Sequence, residues 1–130
     1  MARMETHRDG WRSRPGTPAP GTRLCALAEI ADPGAKGFVF GGGVERFDLV
    51  VVRRNALLRG YVNECPHAFT TLEFRPDQFL LKDGTRLLCA THGAQFELED
   101  GYCVWGPCLG ESLTPVPIAV DGEIVYIGPD

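Results

Sequence analysis

Two short stretches carry the residues of this chain best suited to chemistry. One reads Cys65-Pro66-His67 and the other Cys89-Ala90-Thr91-His92. Each offers one soft thiolate and one imidazole, close enough in sequence to reach a single small inorganic centre. Zinc accepts two Cys and two His, but its familiar finger spacing groups the cysteines first and the histidines later. Here the order alternates, Cys-x-His and then Cys-x-x-His. A two-iron cluster with Cys on one iron and His on the other suits that order, because each loop can straddle both metals. The motif alone leaves both centres open. To ligate, Cys65 and Cys89 must lose their protons, and His67 and His92 must present a neutral ring nitrogen. Only three histidines occur, and two of them sit beside cysteine at ligand spacing, which argues against incidental residues. His7 lies in a polar leader and reads as a solvated bystander.

These loops need a rigid frame, and the sequence supplies strands. Residues 46–54 (RFDLVVVRR) and 57–63 (LLRGYVN) are β-branched and apolar, with Asn55-Ala56 as a tight turn between them. The second of them runs straight into Cys65. Leu87-Leu88 is a short strand feeding Cys89, after a polar excursion RPDQFLLKDGTR with its turn at Lys82-Asp83-Gly84. Further strands are predicted over 21–30, 38–40, 94–98, 102–104, 116–120 and 123–127, with ADPGAKG as a turn and Asp121-Gly122 as a type I′ hairpin signal. Short strands at regular spacing without a helical period indicate an all-β antiparallel sandwich or barrel. Gly41-Gly42-Gly43 lacks the Lys-Ser/Thr and the helix that a phosphate loop requires, so it reads as a hairpin connection.

Composition narrows the class. The 130 residues suit one domain, and a 44% hydrophobic content can build a core. A net charge of −4 lacks the basic footprint of nucleic-acid binding. No run of apolar residues is long enough to span a membrane, and the N-terminus has no apolar stretch of the secretory kind, which points to the cytoplasm. Residues 1–20, rich in Arg, Pro and Gly, are expected to be a disordered leader, and 21–130 the folded domain. Five cysteines, an odd number, fit ligands plus free thiols better than a disulfide framework. Cys25, Cys103 and Cys108 read as small buried hydrophobes, although Cys103 and Cys108 could pair if the strands bring them together. Trp105 could pack over the ligand loops or into the core.

On the paired motifs, residues 22–128 resemble a Rieske-type 2Fe–2S protein. His92-Gly93 and the strand after it look like the family's second loop. Gly106-Pro107-Cys108-Leu109-Gly110 looks like its proline-containing loop. The resemblance implies a Rieske-like antiparallel base domain carrying a small cluster-binding subdomain, about residues 64–110. One Rieske cluster would be held there by Cys65, His67, Cys89 and His92. High-potential members carry an extra cysteine in each loop, forming a disulfide, and a Ser and a Tyr after the second His. The matching positions here are Thr70, Thr91, Ala94 and Phe96. Hydrogen bonds to sulfur favour the reduced cluster, so their loss implies a potential of about −150 mV rather than about +300 mV. Phe69 stands where many ferredoxin relatives have Gly.

The resemblance implies a one-electron carrier and not an enzyme, taking electrons from a reductase and delivering them to an oxygenase or similar acceptor. Pro66, Phe69 and Pro107 would form an apolar docking patch. A catalytic oxygenase subunit needs two further histidines and a carboxylate for its mononuclear iron, and only His7 remains. An accessory subunit of the nitrite reductase small-subunit type and a zinc-stapled binding module are the alternatives.

Overall fold

The structure, a computed structural model, describes residues 10–66, 70–73, 75–91 and 93–129. Among the described residues, ten strands form three antiparallel sheets: β1 (Arg23–Ala26), β2 (Gly34–Phe40), β3 (Phe47–Arg54), β4 (Leu57–Val62), β5 (Arg86–Leu88), β6 (Gln95–Glu97), β7 (Cys103–Trp105), β8 (Pro115–Val116), β9 (Ile118–Asp121) and β10 (Ile124–Ile127). The strand orders are β1-β10-β9, β2-β3-β4-β8 and β5-β6-β7. This is the all-β antiparallel architecture expected from the strand pattern. No helix among the described residues is long and apolar enough to cross a membrane.

The four-stranded sheet is the middle layer. Leu49–Val52 of its strand β3 are buried on both faces, which is why they read as an unbroken apolar run. Successive side chains point to opposite faces. Phe47, Leu49 and Val51 therefore join a core with Ile30, Val116, Val125 and Ile127, shared with the β1-β10-β9 sheet. Val50 and Val52 join a second core with Tyr61, Leu87, Phe96 and both motif cysteines. One strand thus anchors the two halves of the molecule.

Three local readings change. The segment read as a turn, ADPGAKG, enters β2 at Gly34, and Gly34–Gly37 pair with Arg53–Val50. Glycine is required there by close approach: a Cβ on Gly34 would stand 2.6 Å from the Ala31 carbonyl oxygen. The strand expected over 116–120 is two strands, β8 on β4 and β9 on β10. Pro117 lies between them, where the chain passes from one sheet to the other. The hairpin after Asp121 has positive φ at Gly122 and not at Glu123, the pattern of a type II′ turn rather than I′.

The leader also differs from its composition. Residues 1–9 lie outside the described residues, but 10–20 pack on the domain. A 3-10 turn at Gly10–Ser13 seats Trp11, 1% exposed, against Phe47 with ring centroids 5.8 Å apart. Arg12 lies 3.9 Å over the indole and donates to the Pro18 carbonyl. A single large aromatic gains enough from burial to fix a short segment that average composition marks as unfoldable.

Candidate cluster site

The two motif cysteines follow β4 and β5, the strands expected to deliver them. Cys65 and Cys89 are both 0% exposed and belong to one core. Their loops share a backbone device. The Cys65 N–H donates to the Thr70 carbonyl, and the Cys89 N–H donates to the Ala94 carbonyl, each at 2.8 Å. Each bond brackets the stretch that contains the motif histidine. In the second loop the Gly93 N–H also returns to the Cys89 carbonyl at 2.8 Å, with Gly93 in the left-handed region at φ 74°. A direct bond joins the loops: the Ala90 N–H donates to the Leu72 carbonyl at 2.8 Å.

His67, Phe69 and His92 lie outside the described residues. Among the described residues alone, no three His, Cys, Asp or Glu side chains converge in metal-binding geometry. The donor chemistry nevertheless suits an iron–sulfur centre. Two buried thiols emerge from matched loops tied to each other, in a core lined by Ala94 and Phe96, both 0% exposed. Neither residue has a hydroxyl that could donate to a cluster sulfur. Thr70 and Thr91, the positions without loop cysteines, are exposed.

The chain's third approach to this region is the loop after β7. All five cysteines are among the described residues and none is disulfide-bonded. Cys103 and Cys108 are brought together as thiols: the Cys108 Sγ donates to the Cys103 Sγ at 3.1 Å, and the Cys103 Sγ donates to the Trp105 carbonyl at 3.3 Å. Burial, then the bond to Cys103, holds the Cys108 thiol well above its ordinary pKa, and the charge of Cys65 acts in the same direction. The proline-containing loop thus places Cys108 in the same core as the first motif cysteine. Cys25, buried in the opposite core, is likewise raised, chiefly by burial.

Trp105 is in neither core. It is 60% exposed, and a Cβ on Gly93 would stand 3.6 Å from its Cζ3. Strand periodicity would align it with buried Cys103, but the register shifts between Gln95 and Phe96, which pair with Trp105 and Cys103. Val104 is thus the extra residue of a bulge, and the tryptophan turns outward. Leu109, 65% exposed, and exposed Pro107 stand on the same loop.

Sequence reasoning passed over two residues that frame the site. Tyr61, at 0% exposure, donates its hydroxyl to the Leu98 carbonyl at 2.7 Å and joins β4 to the chain just after β6. Asn63 sits two positions before Cys65 and is the only buried residue of polar type among those described. Its Asn identity at a strand end gave no signal, because its partners lie further along the chain.

A small all-β protein with two buried cysteines on loops bonded to each other has the frame that a metal- or cluster-carrying domain needs. Residues 22–119 match the model of the Rieske 2Fe-2S domain, and the chain belongs to that family. Its cofactor is accordingly a Rieske-type 2Fe–2S cluster. The structure is similar to the ferredoxin of carbazole 1,9a-dioxygenase from Nocardioides aromaticivorans IC177, with 20% identity, TM-score 0.67, and 86% of this chain and 100% of that chain covered. It is similar to a Sphingomonas yanoikuyae B1 ferredoxin at 23% identity and TM-score 0.64, covering 85% and 99%. A third similar chain comes from a complex of reduced oxygenase and oxidized ferredoxin in carbazole 1,9a-dioxygenase, at 21% identity and TM-score 0.64, covering 82% and 90%. No curated protein sequence matches the chain.

Proposed function

We propose that this protein is a one-electron carrier, receiving electrons from a reductase and passing them to an oxygenase or similar enzyme. Cys65, His67, Cys89 and His92 are the proposed ligands of its cluster. The observation that carries the reading is the pair of matched, cross-bonded loops that bury Cys65 and Cys89 in one core. The similar solved chains include ferredoxins of dioxygenase systems and one in complex with an oxygenase, which supports the same role and partners.

When bound, the cluster supplies reversible one-electron chemistry. The chain's own residues keep water from the cysteine side and hold the two loops at fixed separation. Ala94 and Phe96 withhold hydrogen bonds from the cluster, which supports a potential near the low end of the Rieske range, about −150 mV. Pro66 and Pro107, with exposed Trp105 and Leu109 beside the second loop, give an apolar rim for a partner. The net charge of −4 favours a basic partner surface and speeds encounter more than it tightens the complex. The cytoplasm, where thiols stay reduced, is the compartment this cysteine use suits. With His7 the only histidine outside the motifs, the chain carries electrons and does not consume them at a second metal.

Visible absorption, EPR and metal analysis of the purified protein test the reading. The expected result is a coloured protein with iron and acid-labile sulfide and a mixed His/Cys-ligand EPR signal on reduction. A colourless, EPR-silent protein holding stoichiometric zinc would overturn it. His92→Cys is expected to abolish the mixed-ligand signature, and an unchanged spectrum would remove His92 from the ligand set.

A further inference from the structure

Asn63 is 4% exposed, and both ends of its side-chain amide are used. Its Oδ1 accepts the Leu72 N–H at 2.9 Å, and its Nδ2 donates to Glu73 Oε1 at 3.0 Å. Its own N–H donates to the Asp48 carbonyl at 2.9 Å, on the middle strand β3. The side chain therefore ties Leu72 and Glu73, which follow the first loop, to the residue that precedes it, and the backbone of Asn63 holds that residue on the sheet. Leu72 is fully buried, and its carbonyl accepts the Ala90 N–H at 2.8 Å, beside Cys89. A continuous series of bonds thus runs from the base sheet through Asn63 and Leu72 to the second loop.

We propose that Asn63 is a positioning residue that sets the separation of the two ligand loops, and through it the retention and spectroscopic signature of the cluster. This rests on the reading of Cys65, His67, Cys89 and His92 as ligands. Asparagine is suited to the place because it accepts from the Leu72 backbone and donates to the Glu73 carboxylate without adding charge. An apolar replacement strands the buried Leu72 N–H, which favours opening of the first loop and release of its hold on the second. A carboxylate keeps the Leu72 bond but faces Glu73 with a like charge.

Three versions of the full, cluster-loaded chain test this: Asn63→Leu, Asn63→Asp, and Asn63→Asp combined with Glu73→Gln. The double change exchanges donor and acceptor, so that the new amide donates to the new carboxylate and both bonds return. The readouts are the rate of iron loss to an excess of ferrous chelator, the EPR line positions, and hydrogen exchange of peptides spanning each loop. Asn63→Leu and Asn63→Asp are expected to lose iron roughly tenfold faster or more, in the range typical of ligand-supporting groups. They should also shift the EPR lines and speed exchange in both loops. The double variant is expected to return toward the parent on all three. Iron retention in Asn63→Leu equal to the parent, or a double variant no better than Asn63→Asp, overturns the proposal. Where Asn63→Leu does not fold, the two Asp variants decide by the same criterion. A parent without the mixed-ligand signal refutes the ligand assignment instead, and the positioning role is then read from second-loop exchange alone.

Discussion

The base and the tip of this molecule are held together in different ways. In the base, β3 pairs with β2 from Phe40↔Phe47 to Gly34↔Arg53 and with β4 from Leu49↔Val62 to Arg54↔Leu57, in unbroken register. Its stability is carried by area, in large side chains packed on both faces of one strand. The tip sheet, β5-β6-β7, has strands of three residues, one register shift, and a core that holds Cys65, Cys89, Cys103 and Cys108. Its shape is carried by particular hydrogen bonds: Cys65 to Thr70, Cys89 to Ala94, Ala90 to Leu72. A packed strand tolerates exchange of one hydrophobe for another of similar volume. A loop fixed by single bonds tolerates no loss of an acceptor, which is how a site holds its geometry to a fraction of an ångström. Substitutions in the base should therefore move global stability, and substitutions in the tip should move the cluster.

The largest effect is expected where the base has its biggest buried side chain. Trp11→Ala empties an almost fully buried indole site against Phe47 and should cost about 3–5 kcal/mol in urea unfolding. Below the unfolding transition the EPR signature should stay at its parental positions. A loss under about 1 kcal/mol would show that the segment 10–20 is not part of the base, and shifted EPR lines would show that base and tip are not separable in this way.

Gly106→Ala makes the converse test. Gly106 has φ 106°, and a Cβ there would lie 2.7 Å from the Cα of Ala94, whose carbonyl holds the Cys89 N–H. The strain should cost roughly 1–3 kcal/mol, and it should be discharged locally by movement of the second loop. Faster iron loss, with the base peptides keeping their hydrogen-exchange protection, is the expected pattern. A uniform loss of protection in both halves would contradict the division.

The same contrast explains what could be read from the amino acids. The base strands were legible because β3 carries the apolar run Leu49–Val52 and β4 pairs apolar ends around Arg59-Gly60, and the turn at Asn55, with φ 54°, follows from local chemistry. The motif cysteines stood out because ligand chemistry restricts residue type and spacing, and the expected strands β4 and β5 do end beside them; their part as ligands is our proposal. Less was legible where the cause lies elsewhere in the chain. Gly34 and Gly37 look like turn residues, yet they serve close approach inside a strand, Gly37 against the Phe79 ring. Trp11 sits among residues whose average composition hides one decisive contact. Trp105 obeys a bulge that only the pairing of β6 with β7 reveals. Asn63 and Tyr61 act through partners that only the folded chain brings near.

Tyr61 belongs to both regions, so it measures the coupling between them, and its effect should be the smallest. It stands on β4, packs in the tip core, and donates to the Leu98 carbonyl at 2.7 Å. Tyr61→Phe keeps the ring and removes that bond, for an expected loss of about 0.5–1.5 kcal/mol near neutral pH. Burial is the main reason the phenol holds its proton well above the usual tyrosine range. Its folded pKa is therefore raised above the unfolded value of about 10. An acid shifted in this direction contributes its full stability below the unfolded pKa. The contribution is lost as pH rises beyond it, because the unfolded chain then releases a proton that the folded chain keeps. The decline should approach about 1.4 kcal/mol per pH unit from this group alone. The difference in unfolding free energy between the parent and Tyr61→Phe should thus be constant from pH 7 to about pH 9, and should shrink and then reverse sign above pH 10. A difference that stays constant through that alkaline range would mean that the hydroxyl ionises as readily in the folded protein as in the unfolded chain. The bond between β4 and the tip would then not be the buried link between the two regions.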